Sequence, residues 1–362
     1  MIDLDPELTL RLVEEGAKPT FRGTIELVSG VLVEAQGVPA ALGEVCTIER
    51  GQGDTIDAEV VGFRGTHTLL MPFGDLAGIA PKQVVRATGR PFRCPVGDVL
   101  LGRILDGFGR PLDAPKGQQR ESDFERAELR PIRREAPSPG DRRSVNEPLQ
   151  TGLRVIDGLN TIGRGQRLGI FAGSGVGKSS LLGQVTRGTD ADVVVTCLVG
   201  ERGREVNSFV EDVLGPEGME RAVLVAATSD RSPIERFLAP FVAVTIAERF
   251  RDDGKNVLLV MDSVTRFALA AREIGLAAGE PPAVRGFPPS FFATVPKLIE
   301  RMGRTQRGSI TGLLTILLDG DDANDPVADT MRGLLDGHLF LSREMAQAGR
   351  FPAVDILNSL SR

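Results

Sequence analysis

Residues 167–183, RLGIFAGSGVGKSSLLG, decide how the rest of the chain is read. Within them Ala172-Gly173-Ser174-Gly175-Val176-Gly177-Lys178-Ser179 keeps the P-loop spacing of four residues followed by Gly-Lys-Ser, with Ala where the strict pattern begins on Gly. An apolar strand, RLGIF, leads in and a helical run, SSLLGQV, leads out. Glycines let successive backbone N–H groups turn inward, and the helix N-terminus adds its partial positive charge, so the loop suits phosphate. Lys178 supplies a point charge to β- and γ-phosphate oxygens, and the Ser179 hydroxyl is a ligand for Mg²⁺. Gly173, Ser174, Gly175, Val176, Gly177 and Ser180 complete the cradle. A Gly-rich turn that binds nothing is the plain alternative.

Around this motif, apolar runs at 192–200 (DVVVTCLVG), 221–228 (RAVLVAAT), 256–262 (NVLLVMD) and 310–318 (ITGLLTILL) alternate with helix-period segments. In REVNSFVEDVL, for example, Val206, Phe209, Val210, Val213 and Leu214 fall on one helical face. The alternation predicts βαβ units and a mostly parallel sheet covered on both faces, an α/β P-loop core over 151–362. Asp262 ends an apolar strand, where an acid holds the Mg²⁺ water shell. Glu201 follows another strand at the same sheet edge, where a carboxylate can polarise an attacking water or form a salt bridge to Arg202 or Arg204. Pro240, inside IERFLAPFVAVTIAERF, predicts a kink or a new helix start.

Upstream the period changes. Residues 21–95 hold short β-branched runs cut by Gly and Asp, such as FRGTIELVSGVLVEAQG, EVCTIER and DAEVVGF, and read as a small antiparallel β-barrel. Residues 96–150 read as a connector, its part from 116 onward an Arg-, Glu- and Pro-rich surface linker. Residues 1–20 form an arm, with Leu8, Leu10, Leu12 and Val13 as a small apolar patch.

With 41% hydrophobic and 25% charged residues, the chain is neither disordered nor collagen-like. Its formal charge of -6 repels phosphate backbones and disfavours a nucleic-acid partner. Two histidines exclude a His-rich metal centre, and three scattered cysteines with an acidic start predict a reduced, cytosolic protein. There are 17 Phe but no Tyr or Trp. The chemistry above uses Gly, Lys, Ser, Asp, Glu, Arg and Phe, so that gap leaves it intact.

Taken together, AGSGVGKSSLLG, VGERGREV, VLLVMDSVTRFALAAREIGLAAGEPPAVRGFPPS, DGDDANDPVADTMRGLLDGHLFLSR and FPAVDILNSLSR resemble the type III protein-export ATPases of flagella and injectisomes. These are relatives of the rotary ATP synthase catalytic subunit. The likeness, which includes LLGRILDGFGRPLD, implies an N-terminal β-barrel, a RecA-like ATPase core and a homo-oligomeric, hexameric ring. By the same resemblance Lys178 and Ser179 hold phosphate and Mg²⁺, Asp262 completes the metal shell and Glu201 is the catalytic carboxylate. Arg202 orients Glu201 or links subunits, Phe351 stacks on adenine, and Arg362 is an arginine finger for the neighbouring subunit. A core phenylalanine and a plain terminal residue are the simpler readings of those last two. The acidic loop DGDDANDP resembles a pore-facing segment, and a solvated turn reads equally well.

The resemblance implies a Mg²⁺-dependent ATPase for protein export, in the cytoplasm or at the inner face of the membrane, with regulator and stalk proteins as partners. The chain ends at Arg362, where the family's C-terminal helical domain would begin, so contacts with chaperones and export substrates are not expected of these residues. A nucleotide-gated assembly module with little turnover is the alternative, and a rotary synthase-type subunit or an RNA translocase is a further one.

Overall fold

The computed structural model describes residues 21–51, 53–113, 124, 126–318 and 325–362. The predicted arm (1–20), and the acidic loop up to Asn324, lie outside the described residues. The chain divides into two compact units, Met1–Phe92 and Arg93–Arg362.

The first unit is a closed six-stranded barrel: β1 (Arg22–Ser29), β2 (Leu32–Gln36), β3 (Glu44–Gly51), β4 (Asp54–Arg64), β5 (His67–Pro72) and β6 (Val84–Pro91), in the order β1-β2-β5-β4-β3-β6. Period-two alternation puts Ile25, Val33, Ile48, Val60, Leu70 and Val85 into one interior cluster. Closure leaves no unpaired strand edge on so small a sheet.

In the second unit β7 (Arg93–Val96) pairs with β9 (Glu128–Pro131), and between them lies β8 (Ile104–Asp106). The main sheet continues with β10 (Arg167–Ala172), β11 (Val193–Val199), β12 (Ala222–Ala227), β13 (Asn256–Asp262), β14 (Ser309–Leu317), β15 (Gly337–Leu341) and β16 (Val354–Ser361). Its order is β16-β15-β10-β14-β13-β11-β12-β8, with Gly303–Arg304 pairing on β14. Every pair along it is parallel except β15 with β16. The stretch read from sequence as connector therefore supplies an edge strand of the core sheet. Three turn clusters masked a strand of only three residues.

The principal helices are α1 (Lys178–Gly188), α2 (Gly203–Ser208), α3 (Gly215–Glu220), α4 (Pro233–Asp252) and α5 (Val264–Ala278). Both sheet faces are covered, so the strands read as unbroken apolar runs. On β13, Leu258 and Val260 join the cluster that contains Leu181, Leu182 and Val185 of α1. Their neighbours Val257, Leu259 and Met261 are equally buried and face the other way. Among the described residues no helix is long and apolar enough to cross a membrane.

Two local expectations are corrected. No new helix begins at Pro240: α4 runs through it from Ser232, whose Oγ accepts from Glu235 N at 3.4 Å. A proline inside a helix, which loses one backbone bond and crowds the preceding turn, costs about 3 kcal/mol. Burying Leu238, Phe241, Val242, Val244 and Ile246 offsets it, each being worth about 1.5–3 kcal/mol. In REVNSFVEDVL the α-helical period is interrupted, because Phe209–Leu214 is π-helical between α2 and α3. The predicted face nevertheless holds: Val206, Phe209 and Leu214 are buried in the core cluster, and the half-buried Val210 and Val213 pack against it.

Arg301 and Glu248, each 1% exposed, form a buried ion pair under the β9 segment. Arg301 Nε and Nη2 donate to the two Glu248 oxygens at 2.9 and 2.8 Å, Nη2 also to Thr245 Oγ1, and Nη1 to Ile132 O. Glu248→Gln is expected to destabilise this unit by about 3–5 kcal/mol, because it strands a buried guanidinium. Urea unfolding measures it, and an unchanged midpoint would contradict that role.

Candidate nucleotide-binding and hydrolytic site

The carboxyl ends of adjacent parallel strands build one edge. The loop after β10 turns into α1 at Gly177, a left-handed N-cap (φ 91°) with no side-chain cap. First-turn N–H groups that no side chain satisfies are available to an anion. Gly173 and Val176 are buried, whereas Ser174, Gly175, Ser179 and Ser180 are exposed along that turn. Arg343 Nη1 donates to Ser174 O at 3.4 Å.

The Lys178 ammonium points back over the sheet edge. It pairs with Asp262 Oδ1 and lies 3.8 Å from Glu201 Oε1. Asp262 ends β13, two strands from β10, and the intervening β14 contributes Thr315, whose Oγ1 donates to Asp262 Oδ1 at 2.7 Å. The carboxylate is thereby fixed from both sides, at 4% exposure.

Glu201 follows β11 by two residues and is 7% exposed. Gly200 N donates to Ala227 O at 2.7 Å and Ser229 N to Glu201 O at 3.0 Å, which pin this corner to the end of β12. Gly200 adopts φ 68°, and a Cβ there would meet Arg266 Cδ at 2.7 Å, so only glycine lets that arginine pass. Arg266 lies on the first turn of α5 and brings Nη1 to 2.5 Å from Glu201 Oε1. Burial raises the Glu201 carboxyl above the usual glutamate range, and a hydrogen bond with Glu205 adds to this, while Arg266 and Lys178 oppose it. Glu205 is lowered by that same hydrogen bond. The result is a shielded carboxylate near a cation, able to hold a water and accept its proton.

The other expected residues fall in different places. Phe351, 63% exposed, lays its ring edge on the loop: a Cβ at Gly177 would sit 3.2 Å from Phe351 Cε1. It is not a core side chain, and its open face suits a planar apolar group. Arg202 is not on Glu201. Its side chain is 68% exposed and 3.8 Å from Glu205, so the expected orienting role falls to Arg266. Arg362 lies beside the start of β10, its N–H donating to Asp336 O at 3.1 Å. From there to the phosphate loop is the length of β10, about 20 Å at 3.3 Å per residue. Arg362 therefore does not meet the site of its own protomer.

Sequence reasoning missed Arg266 and Thr315. The signal for Arg266 was present: an arginine one turn into the helix that follows a strand-ending Asp must point back at the carboxyl edge. Thr315 carried none, as a lone Thr inside ITGLLTILL reads as an ordinary strand residue.

Comparison with known proteins agrees with this geometry. The model of the ATP synthase alpha/beta family, nucleotide-binding domain, matches residues 152–361, and that of the family's beta-barrel domain matches 25–89. The type 3 secretion system ATPase of Xanthomonas euvesicatoria is 52% identical over 341 residues, 94% of this chain and 76% of that protein. The flagellum-specific ATP synthase of Bacillus subtilis is 50% identical, over 94% of this chain and 77% of its own. Among solved structures, the assembled ATPase EscN from the enteropathogenic E. coli type III secretion system superposes with a TM-score of 0.86 at 46% identity. That match covers 94% of this chain and 80% of EscN, and EscN has also been solved in complex with its central stalk EscO.

Arg266 favours the ionised form of Glu201, so Arg266→Ala should raise its pKa further. The acid limb of kcat/KM against pH for ATP hydrolysis then moves to higher pH. A limb that stays in place would remove Arg266 from this role.

Proposed function

The chain belongs to the ATP synthase alpha/beta family and is an ATP-hydrolysing enzyme of type III protein export; from that premise we propose how its residues carry out the reaction. The observation that carries the reading is Lys178, set between the buried carboxylates of Asp262 and Glu201 at the mouth of an uncapped helix. ATP places its phosphates on the backbone N–H groups of Gly173–Ser179, and Lys178 turns from Asp262 to the β- and γ-phosphate oxygens. Phe351 offers its exposed ring to the adenine.

Asp262 and Ser179 supply the hard oxygen donors that Mg²⁺ prefers, and Asp262 becomes free for it once Lys178 moves to phosphate. Among the described residues no three acidic, His or Cys side chains converge. A bound ion would therefore take its remaining ligands from phosphate and water. When bound it supplies charge neutralisation on the phosphates. Glu201 orients the attacking water and takes its proton as the water oxygen bonds to the γ-phosphorus and the bond to the bridging oxygen breaks. Arg266 holds Glu201 ionised and aimed. No covalent intermediate is needed, since positioning and charge balance carry the rate.

Arg362, exposed and distant from its own phosphate loop, serves the site of an adjacent copy in a homo-oligomeric ring, and Arg202 faces that neighbour from the rim. EscN is assembled and carries a central stalk. The same arrangement is proposed for this chain, which would work in the cytoplasm at the inner face of the membrane with its regulator.

Two variants test this together. Glu201→Gln is expected to keep ATP affinity and lose hydrolysis. Arg362→Ala is expected to lose about 10³-fold or more in rate. Mixed before assembly, the two inactive variants regain activity, because some interfaces then pair an intact Glu201 with an intact Arg362. Activity retained by Glu201→Gln would overturn its role, and mixtures that stay inactive would overturn the finger in trans.

A further inference from the structure

At the β8 edge of the main sheet, away from the phosphate loop, lies an open groove of about 1280 Å³. Leu101, Ile104, Val210 and Met219 form its apolar floor, and Asp98, Asp113, Glu211 and Glu220 its rim. Asp113 is paired with Arg103 at 2.8 Å, and Asp98, Glu211 and Glu220 have no cationic partner among the described residues. An apolar floor with three carboxylates that the described residues leave uncompensated fits a segment that is apolar on one face and basic on the other.

One wall of the groove is the π-helical turn Phe209–Leu214 and the start of α3. π turns inside helices often mark functional sites. The opposite side of this turn grips the phosphate-loop helix. A Cβ at Gly183 of α1 would lie 2.8 Å from Val213 Cγ1, so Val213 fills the space that glycine leaves. Arg187 of α1 donates through Nη1 to Asp212 O at 3.1 Å and to Val213 O at 2.8 Å. At its other end the turn continues from α2, which begins two residues after Glu201. A single irregular turn thus touches the groove, the helix that carries Lys178 and the helix that follows Glu201.

We propose that this groove docks a basic amphipathic helical segment of a partner protein, and that its occupancy changes ATP turnover through the π turn. A ligand shifts such an element only as far as it prefers one of its states. Val210 and Glu211 of the turn line the groove directly, which gives the ligand that preference. This goes beyond the hydrolytic reading, and its binding arm does not depend on hydrolysis.

The probe is a short fluorescein-labelled amphipathic Leu/Lys peptide, with the same pattern in Leu/Glu as its control, titrated into the full chain and followed by anisotropy. Asp98→Lys combined with Glu220→Lys reverses rim charges outside the catalytic machinery and should leave basal ATPase activity unchanged. The expected result is saturable binding of the Leu/Lys peptide, weakened about tenfold or more by the double variant, with no binding of the Leu/Glu control. Bound peptide should change wild-type turnover at saturating ATP, and not that of the variant. Equal binding to wild type and variant, binding of the Leu/Glu peptide, or binding without any effect on turnover would overturn the proposal. Loss of self-association in the double variant, seen as particle mass, would assign the groove to a second copy and overturn it as well.

Discussion

The Lys178 ammonium is held among acids that come from remote parts of the chain, and most of the second unit exists to keep them there. A buried cation needs a counter-charge. Asp262 and Glu201 provide it in the absence of phosphate, one in contact and one at 3.8 Å. In the proposed mechanism the same proximity makes the site exchangeable: a phosphate that took over Lys178 would leave Asp262 without its cation and Glu201 close by. Thr315, Arg266 and Gly200 then fix where each carboxylate stands, through a hydroxyl, a guanidinium and the absence of a side chain.

This arrangement demands a base that does not shift, and the parallel sheet meets that demand. With helices on both faces the strands are locked by alternate residues packing in opposite directions, as Leu258 and Val260 do against α1 while Val257 and Leu259 pack the other way. A one-residue slip of β13 would turn Asp262 away from Lys178 and drive Met261 into its place. With no Tyr or Trp in the chain, aromatic packing here falls to phenylalanine and, against Phe171 and Phe340, to His338. Phe237, Phe241 and Phe267 stack within about 5 to 6 Å of one another, and none brings an O–H or N–H that would need a partner.

Much of this was legible in the sequence because it rests on local patterns. The spacing of Gly173 to Ser179, the apolar runs that end at Val199 and Asp262, and the alternation from Phe21 onward each reflect one element's own period. What escaped depended on three dimensions. Arg202 stands next to Glu201 in sequence yet turns outward, and Arg266, sixty-five residues on, takes its place because the sheet order sets β11 against β13. The new helix start read at Pro240 does not occur, because burial along α4 outweighs the cost of a proline within it. The π turn at Phe209–Leu214 was misread because the apolar spacing of a π segment differs too little from an α-helical one over six residues.

The central claim is that this chain carries a complete ATP-hydrolysing centre apart from the arginine that an adjacent copy supplies. Phosphate release per protomer, measured at saturating Mg-ATP over a wide range of protein concentration, tests it most directly. The account predicts specific activity that rises steeply with concentration as copies associate and then levels off. Turnover that stays flat and near zero across the whole range, with ATP bound, would contradict it.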